Sequence, residues 1–219
     1  MVGAYGYRYV DKELVTRLKF GGSADWGVHT LGDFGPHDQF QYAVSGITGA
    51  GFKEPRIGNS VDVEARLDWL PTRNMVIAVG GYRGKLAQNV DGAVALHTAR
   101  RQNAMVAFAN DRWRVGAQYF RADDWRQVTV PQTDRAHGWS TWASVQVTPK
   151  AGLFARHDDT ATSVVLDPGQ RDGYSNLGVE WRLRKQLRTA ALYKRERLTD
   201  SKRVLTSDRE IGVYAQLAL

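Results

Sequence analysis

The chain has 219 residues, a length that suits a single domain over residues 1–219, and its lack of cysteine excludes disulfides and thiolate metal sites. Its 30 Lys and Arg against 23 Asp and Glu give a net charge of +7, which permits nucleic acid, anionic lipid or small anions as partners without choosing among them. No stretch approaches about 18 consecutive apolar residues, so no transmembrane helix is predicted, although alternating barrel strands would escape that criterion.

Segments in which apolar and polar residues alternate run through the first third of the chain, and such alternation predicts β-strands. The first, Val2 to Val10, places three tyrosines on one face, and a short helical turn is predicted in the loop after it, over Lys12 to Leu18. Further strands are predicted at Asp25 to Thr30, Phe40 to Thr48, Ser60 to Trp69 and Met75 to Arg83.

The stretch from Arg101 to Arg121 predicts a hairpin with two long arms. Asn110 and Asp111 join the arms, and both residue types tolerate the positive φ of a tight hairpin turn. Each arm has about ten residues, roughly twice the length of a typical strand in a soluble sheet. The same unit recurs, with strands predicted at His137 to Val147, Ala151 to Asp158, Gly173 to Leu183, Arg188 to Glu196 and Asp208 to Leu219.

The connections between these strands alternate between short and long, as they do in transmembrane barrels, which have short turns on one side and long loops on the other. A soluble β-sandwich or barrel that serves as a binding module remains the alternative, although a sandwich gives no reason for loops to sort by side. Eleven strands are counted from Asp25 onward. With Val2 to Val10 the total is about twelve, which favours an all-β, antiparallel, up-and-down transmembrane β-barrel with an even number of strands.

Several short stretches resemble the phosphate-selective porin O and P family of outer-membrane porins. They are SADWGVH at 23–29, YAVS at 42–45, VGGY at 79–82, RVGAQYF at 114–120, NLGV at 176–179 and EIGVYAQ at 210–216. The resemblance covers about Tyr5 to Leu219 and implies the C-terminal part of a larger, trimeric anion channel in the Gram-negative outer membrane. It also implies outer-membrane lipid, small hydrophilic or anionic solutes and a homotrimer as partners, and no cofactor. The first four residues lack the features of a secretory signal, so we expect that a signal was removed or that the chain is a piece of something longer.

The polar faces of the strands supply the residues expected to line a pore. The basic ones are Arg66, Arg101, Arg114, Arg156, Arg182, Arg188 and Lys194. The acidic ones are Asp62, Glu64, Asp68, Asp158, Glu180, Glu196 and Glu210. Because the two sets nearly cancel, the excess positive charge is expected in loops, turns and the N-terminal segment. The lining residues are interpreted either as solvated ion pairs that hold the wall or as an arginine track that guides anions.

Catalysis and nucleic-acid binding are not predicted. The histidines show no metal-site spacing, and His157 and Asp158 face opposite ways on their predicted strand. Basic residues are interleaved with acidic ones and form no stripe of the kind that binds nucleic acid. The loop segments Asp123 to Gln127 and Lys53 to Arg56 are interpreted either as ordinary external loops or as segments that fold inward and narrow the pore.

Overall fold

Eleven antiparallel strands form one sheet in which every strand lies beside its neighbours in the sequence. The structure, a computed structural model, describes residues 5–21, 24–53, 56–184, 186–200 and 203–217. The strands are β1 Gly27–Phe34, β2 Phe40–Ile47, β3 Asp62–Thr72, β4 Met75–Gly84, β5 Ala99–Ala109, β6 Trp113–Asp123, β7 Arg135–Gln146, β8 Ala151–Ser163, β9 Gln170–Arg182, β10 Leu187–Asp200 and β11 Arg203–Leu217. A single sheet in sequence order contradicts the β-sandwich alternative, because a sandwich divides its strands between two sheets.

The predicted strand from Val2 to Val10 is wrong over the residues that can be compared. Residues 5–10 form turns rather than a strand, and Val2 lies outside the described residues. The predicted helical turn is confirmed as α1, Leu14–Arg17, and a 3-10 turn, Pro36–Asp38, joins β1 to β2. The described residues therefore contain eleven strands instead of about twelve. Within them, β1 pairs only with β2 and β11 only with β10, so the sheet has two free edges and no closure is seen.

Residues 5–21, named here the interior segment, lie across one face of the sheet. The ring of Tyr7 stacks on Phe154 with centroids 4.2 Å apart, and Phe20 packs on Phe120 at 5.0 Å. Gly6 has a φ of +76°, and a Cβ there would lie 2.5 Å from a guanidinium nitrogen of Arg114. Glycine is required at this position on both grounds. We name the face that carries the interior segment the inward face and the other the outward face.

The longest connections lie at one end of the sheet. Those that follow β1, β3, β5, β7 and β9 are short, and those that follow β2, β4 and β6 at the other end are long. The connections that follow β8 and β10 also lie at this second end but are short, so the predicted alternation is wrong for the last third of the chain. We name the two ends the short-turn end and the loop end. The interior segment runs between them, since Tyr7 packs near the short-turn end of β8 and Phe20 packs near the loop end of β6.

Candidate functional site

The residues expected to line a pore share the inward face. Asp62 and Asp158 are fully buried there and Glu180 is 1% exposed, which fixes the inward parity of β3, β8 and β9. The same alternation places Arg66, Arg101, Arg114, Arg156, Arg182, Arg188, Lys194, Glu64 and Asp68 on this face. Their role in lining a channel stays a prediction.

Arg17 of the interior segment lies in a cluster of three carboxylates from three strands. Its guanidinium is 2.5 Å from Asp172, 2.5 Å from Glu196 and 3.4 Å from Asp158. It also lies 4.6 Å above the ring of Tyr174. Burial alone would lower the pKa of Arg17, but the hydrogen bond from Arg17 to Asp172 and the charges of Asp172, Asp158 and Glu196 outweigh it and raise the pKa. Arg17 is therefore permanently charged and fixes the segment to β8, β9 and β10.

Three inward basic residues bind backbone carbonyls of the interior segment. Arg156 donates to the carbonyl of Lys12 at 2.5 Å, Lys194 to that of Val10 at 3.1 Å and Arg101 to that of Phe20 at 2.7 Å. Arg156 also forms a buried ion pair with Asp158, and Arg101 pairs with Glu64. Neither interpretation of the polar face, solvated pairs or a free arginine track, anticipated that these residues hold a piece of the same chain.

Tyrosine hydroxyls complete the attachment of the segment. Tyr9 donates to Glu180 at 2.9 Å, and Tyr174 donates to Asp11 at 2.7 Å. Burial raises the pKa of Tyr9 and the neighbouring carboxylate of Glu180 raises it further, so the hydroxyl keeps its proton and remains a donor. Burial likewise raises the pKa of Tyr7, although a hydrogen bond with Ser144 opposes this.

A cavity of about 470 Å³, lined by both polar and apolar groups, lies at the loop end, beside the interior segment. Its lining includes His29, Glu64, Tyr82, Arg101 and Trp125, contributed by β1, β3, β4, β5 and the loop after β6. The inward side chains of β1 are exposed and those of β2 and β3 are mostly half-buried, because the segment packs on β4 to β10 instead. The arrangement leaves room for water and small solutes on one side of the segment.

Of the two loop segments interpreted either as external loops or as segments that fold inward, one touches the interior. Trp125 donates its indole N–H to the carbonyl of Lys19 at 2.8 Å, and Val128 in the same loop is fully buried. The other segment cannot be compared in full, because Glu54 and Pro55 lie outside the described residues. Lys53 and Arg56 beside them are exposed.

The outward face carries an apolar band between two levels of aromatic side chains. At the short-turn end, Phe34 stacks on Phe40 at 5.1 Å and Phe40 on Trp69 at 6.5 Å. The other aromatics at this end are Phe108, Trp113 and Trp181, and nearer the loop end the outward aromatics are Tyr119, Trp139 and Tyr193. Between the levels the outward side chains include Val79, Val115, Leu153, Leu177 and Val213, all of them exposed.

Two further observations bear on chemistry. Among the described residues, no group of three or more His, Asp or Glu side chains is placed to hold a metal ion. His157 faces outward and hydrogen-bonds Ser175 at 2.8 Å, whereas Asp158 is fully buried on the inward face, so the two side chains do face opposite ways.

In the part of the chain that the structure describes, no helix is long and apolar enough to cross a membrane.

Comparison with known proteins finds likeness in structure but not in sequence. No protein-family model matches the chain, and no curated protein matches it. The outer-membrane channel DcaP of Acinetobacter baumannii superposes with a TM-score of 0.65 at 8% identity, covering 86% of this chain and 62% of that one. OmpT, an outer membrane protein of Vibrio cholerae, superposes with a TM-score of 0.57 at 14% identity, covering 88% and 62%.

A porin whose structure was refined at 1.8 Å also superposes, with a TM-score of 0.57 at 9% identity, covering 87% of this chain and 61% of that one. The chain therefore spans less than two thirds of the length of each of these three structures. Identities this low support a conclusion about fold and no more. The described sheet has the antiparallel fold of outer-membrane porins.

Proposed function

We propose that the chain forms part of the wall of a channel in the Gram-negative outer membrane, through which small hydrophilic solutes diffuse passively. The observation that carries the proposal is the outward apolar band between two levels of aromatic side chains. Such a band matches a lipid bilayer, in which aromatic residues settle at both interfaces. A soluble protein would have no reason to expose Val, Leu or Ile on most strands of a sheet whose opposite face is charged.

The interior segment narrows this channel. It is held by Arg17, by Tyr9 and by three carbonyl contacts from inward basic residues, so it is a fixed part of the interior. Solutes then pass on the side of β1 to β3, where the inward face is uncovered and the cavity of about 470 Å³ lies. Polar lining suits hydrated solutes, because it replaces part of their hydration during passage.

The channel has a mild preference for anions such as phosphate. The inward face of the strands carries more acidic than basic residues, because Asp33, Asp172 and Asp208 also point inward. The interior segment offsets most of this difference, since it adds Arg8, Lys12, Arg17 and Lys19 against only Asp11 and Glu13. The segment's own excess of positive charge lies where the passage is narrowest and favours anions there. The resemblance to phosphate-selective porins supports the same preference and supports assembly as a homotrimer.

The sheet forms one part of a larger porin wall. The two free edges at β1 and β11 support this. Each unpaired backbone group in lipid costs several kcal/mol, so a sheet with open edges is unstable within the bilayer. The coverage of only 61–62% of the porin structures leaves room for further strands between these edges.

The test is reconstitution of the full protein into planar bilayers. We expect ohmic conductance and a small reversal potential of the anion-selective sign in a salt gradient. On a gel, the folded protein should migrate differently before and after boiling. Recovery as a soluble monomer without detergent would contradict the membrane location, and verified folded protein without conductance would contradict the channel. Strong cation selectivity would contradict only the anion preference.

A further inference from the structure

The outward face turns from apolar to basic toward the loop end of β4 to β11. Eight arginines make up this zone, named here the outward arginine belt: Arg83, Arg100, Arg121, Arg135, Arg171, Arg195, Arg197 and Arg209. Among the described residues of these strands, only two outward carboxylates accompany them. Asp123 pairs with Arg121 at 3.2 Å and with Arg135 at 3.0 Å, and Asp159 pairs with Arg171 at 2.8 Å. The expectation that excess positive charge lies in loops, turns and the N-terminal segment is thus wrong for much of it.

Four of the belt arginines lie at one level of the sheet, and the other four lie at most three residues further toward the loop end. Arg83, Arg121, Arg195 and Arg209 are each eight residues from the short-turn end of their strand, at Met75, Trp113, Leu187 and Leu217. With about 3.3 Å per residue and a tilt of about 40°, eight residues correspond to a height of roughly 20 Å. An outward apolar band is about 25 Å tall. The belt therefore marks the upper border of the band, directly above the aromatic level of Tyr119 and Tyr193.

Two pairs of belt arginines are direct cross-strand neighbours. Arg83 is opposite Arg100 on β4 and β5, and Arg195 is opposite Arg209 on β10 and β11. All four side chains are exposed, and within the described residues none of them forms an ion pair or hydrogen bond. Like charges directly opposite each other destabilise a sheet, and two such pairs at one level are an unfavourable arrangement unless an anion lies between them.

We propose that the two arginine pairs bind phosphate groups of anionic lipid headgroups in the leaflet at the loop end of the sheet. The inference rests on the proposed membrane location. A guanidinium binds a phosphate through two parallel hydrogen bonds, and two guanidinium groups on adjacent strands can share one phosphate. Anionic headgroups lie at the height of the belt, and their phosphates cancel the repulsion within each pair. Arginine at this border also avoids the cost it would have at the bilayer midplane.

The test compares lipid binding by variants of the full protein in detergent. R83Q/R100Q and R195Q/R209Q each remove one pair, and R73Q/R184Q removes two exposed arginines from the short-turn end as a control of equal charge. The probes are lipid A, the same lipid after removal of its phosphates, and inorganic phosphate. We expect each belt variant to bind lipid A about tenfold more weakly, since two charge-assisted contacts exceed the energy of a tenfold change. The control variant should bind lipid A as tightly as the parent does. The dephosphorylated lipid should bind the parent and the belt variants equally.

The stability and the conductance of the belt variants are measured as well. Without lipid, the belt variants should be at least as stable as the parent protein, because like-charge repulsion is relieved, and their conductance should be unchanged. A belt variant that is less stable without lipid, or that binds lipid A like the parent, overturns the proposal. Competition by inorganic phosphate at the concentration of lipid A would assign the sites to free phosphate instead. Belt variants that bind lipid A like the parent, in a protein that inserts and conducts, overturn this proposal alone, whereas absence of membrane insertion overturns the proposed function.

Discussion

The guanidinium of Arg17 lies 2.5 Å from a carboxylate oxygen of Asp172, a residue 155 positions later in the chain. Both side chains are largely buried, at 8% and 6% exposure. The pair joins the interior segment to β9, and Asp158 and Glu196 extend the contact to β8 and β10. The position of the segment across the interior therefore depends on one side chain more than on any other.

Replacing Arg17 should release the interior segment. In R17Q, the buried carboxylate of Asp172 loses its cationic partner, and breaking such a pair costs about 3 kcal/mol or more. We expect a lower free energy of unfolding in detergent and a larger single-channel conductance, because the segment no longer narrows the passage. Both are measured on the same preparation, by urea unfolding and in planar bilayers.

R8Q is the matched control, since Arg8 belongs to the same segment, carries the same charge and is exposed. R8Q should leave stability and conductance close to the parent values. Equal effects of R8Q and R17Q would show that net charge matters and that the carboxylate cluster does not.

Replacing Asp62 should lower the free energy of unfolding more than replacing Asp68. Its fully buried carboxylate accepts hydrogen bonds from the hydroxyl of Tyr82 and from the backbone N–H groups of Lys85, at 2.6 Å, and Leu86, at 2.9 Å. In D62A these three donors lose their acceptor, at a cost of about 3 kcal/mol or more. In D68A, a partly exposed pair with Arg66 is lost, at a cost of less than about 1 kcal/mol. Thermal unfolding that ranks the two variants the other way would contradict this account.

The two faces of β3 offer a direct test of orientation. Arg66 points inward with a side chain 25% exposed, and Leu67 points outward at 40% exposure. The chain has no native cysteine, so R66C and L67C each introduce a single thiol. In lipid vesicles, a water-soluble thiol reagent should modify R66C and leave L67C unmodified. The reverse result would mean that the faces are exchanged, as a one-residue slip of the strand would cause.

Acid should loosen the contact between the loops after β6 and β8. Asp134 accepts hydrogen bonds from the backbone N–H groups of Val165, at 3.1 Å, and Arg135, at 2.8 Å. Burial tends to raise the pKa of Asp134, but these bonds and one with Ser163 outweigh it and hold the pKa below its ordinary value of 3.8. A depressed pKa stabilises the contact fully above that ordinary value, and the stabilisation is lost as the pH falls through the folded-state pKa.

The protection of residues 164–169 against hydrogen exchange, measured relative to an unstructured peptide at the same pH, therefore should fall below pH 3.8 in the parent protein. In D134A the same residues should be weakly protected at neutral pH, and acid should change their protection little. A parent protein whose loop keeps the same protection across this pH range would contradict the role of Asp134.

Much of the strand pattern could be predicted from the sequence because alternation records which side chains face which way. Arg66 and Leu67, or Arg156 and Leu153, fall on opposite faces in the prediction and in the structure alike. Strand ends were predicted less well. β10 continues to Asp200 and β11 begins at Arg203, because beyond the apolar band both faces are polar and alternation no longer marks a strand.

The interior segment could not be predicted, since nothing local distinguishes it from a strand. Tyr5, Tyr7 and Tyr9 alternate with Gly6 and Arg8 as strand residues do. Their structure is decided by contacts with Trp142, Phe154 and Glu180. Contacts between residues so far apart in the sequence produce no periodic pattern of apolar and polar residues. The outward arginine belt escaped notice for a similar reason, because Arg83 and Arg100, or Arg195 and Arg209, become neighbours only when strands pair.

The sequence separation of the segment's contacts has a consequence for the order of folding. Each strand pairs only with its neighbours in sequence, so the sheet can grow hairpin by hairpin through small loop closures. Arg17 binds residues 141, 155 and 179 positions away, and no hairpin can supply that contact until β8, β9 and β10 stand side by side. We therefore expect the interior segment to take its place only after β8, β9 and β10 have paired, although it precedes every strand in the sequence.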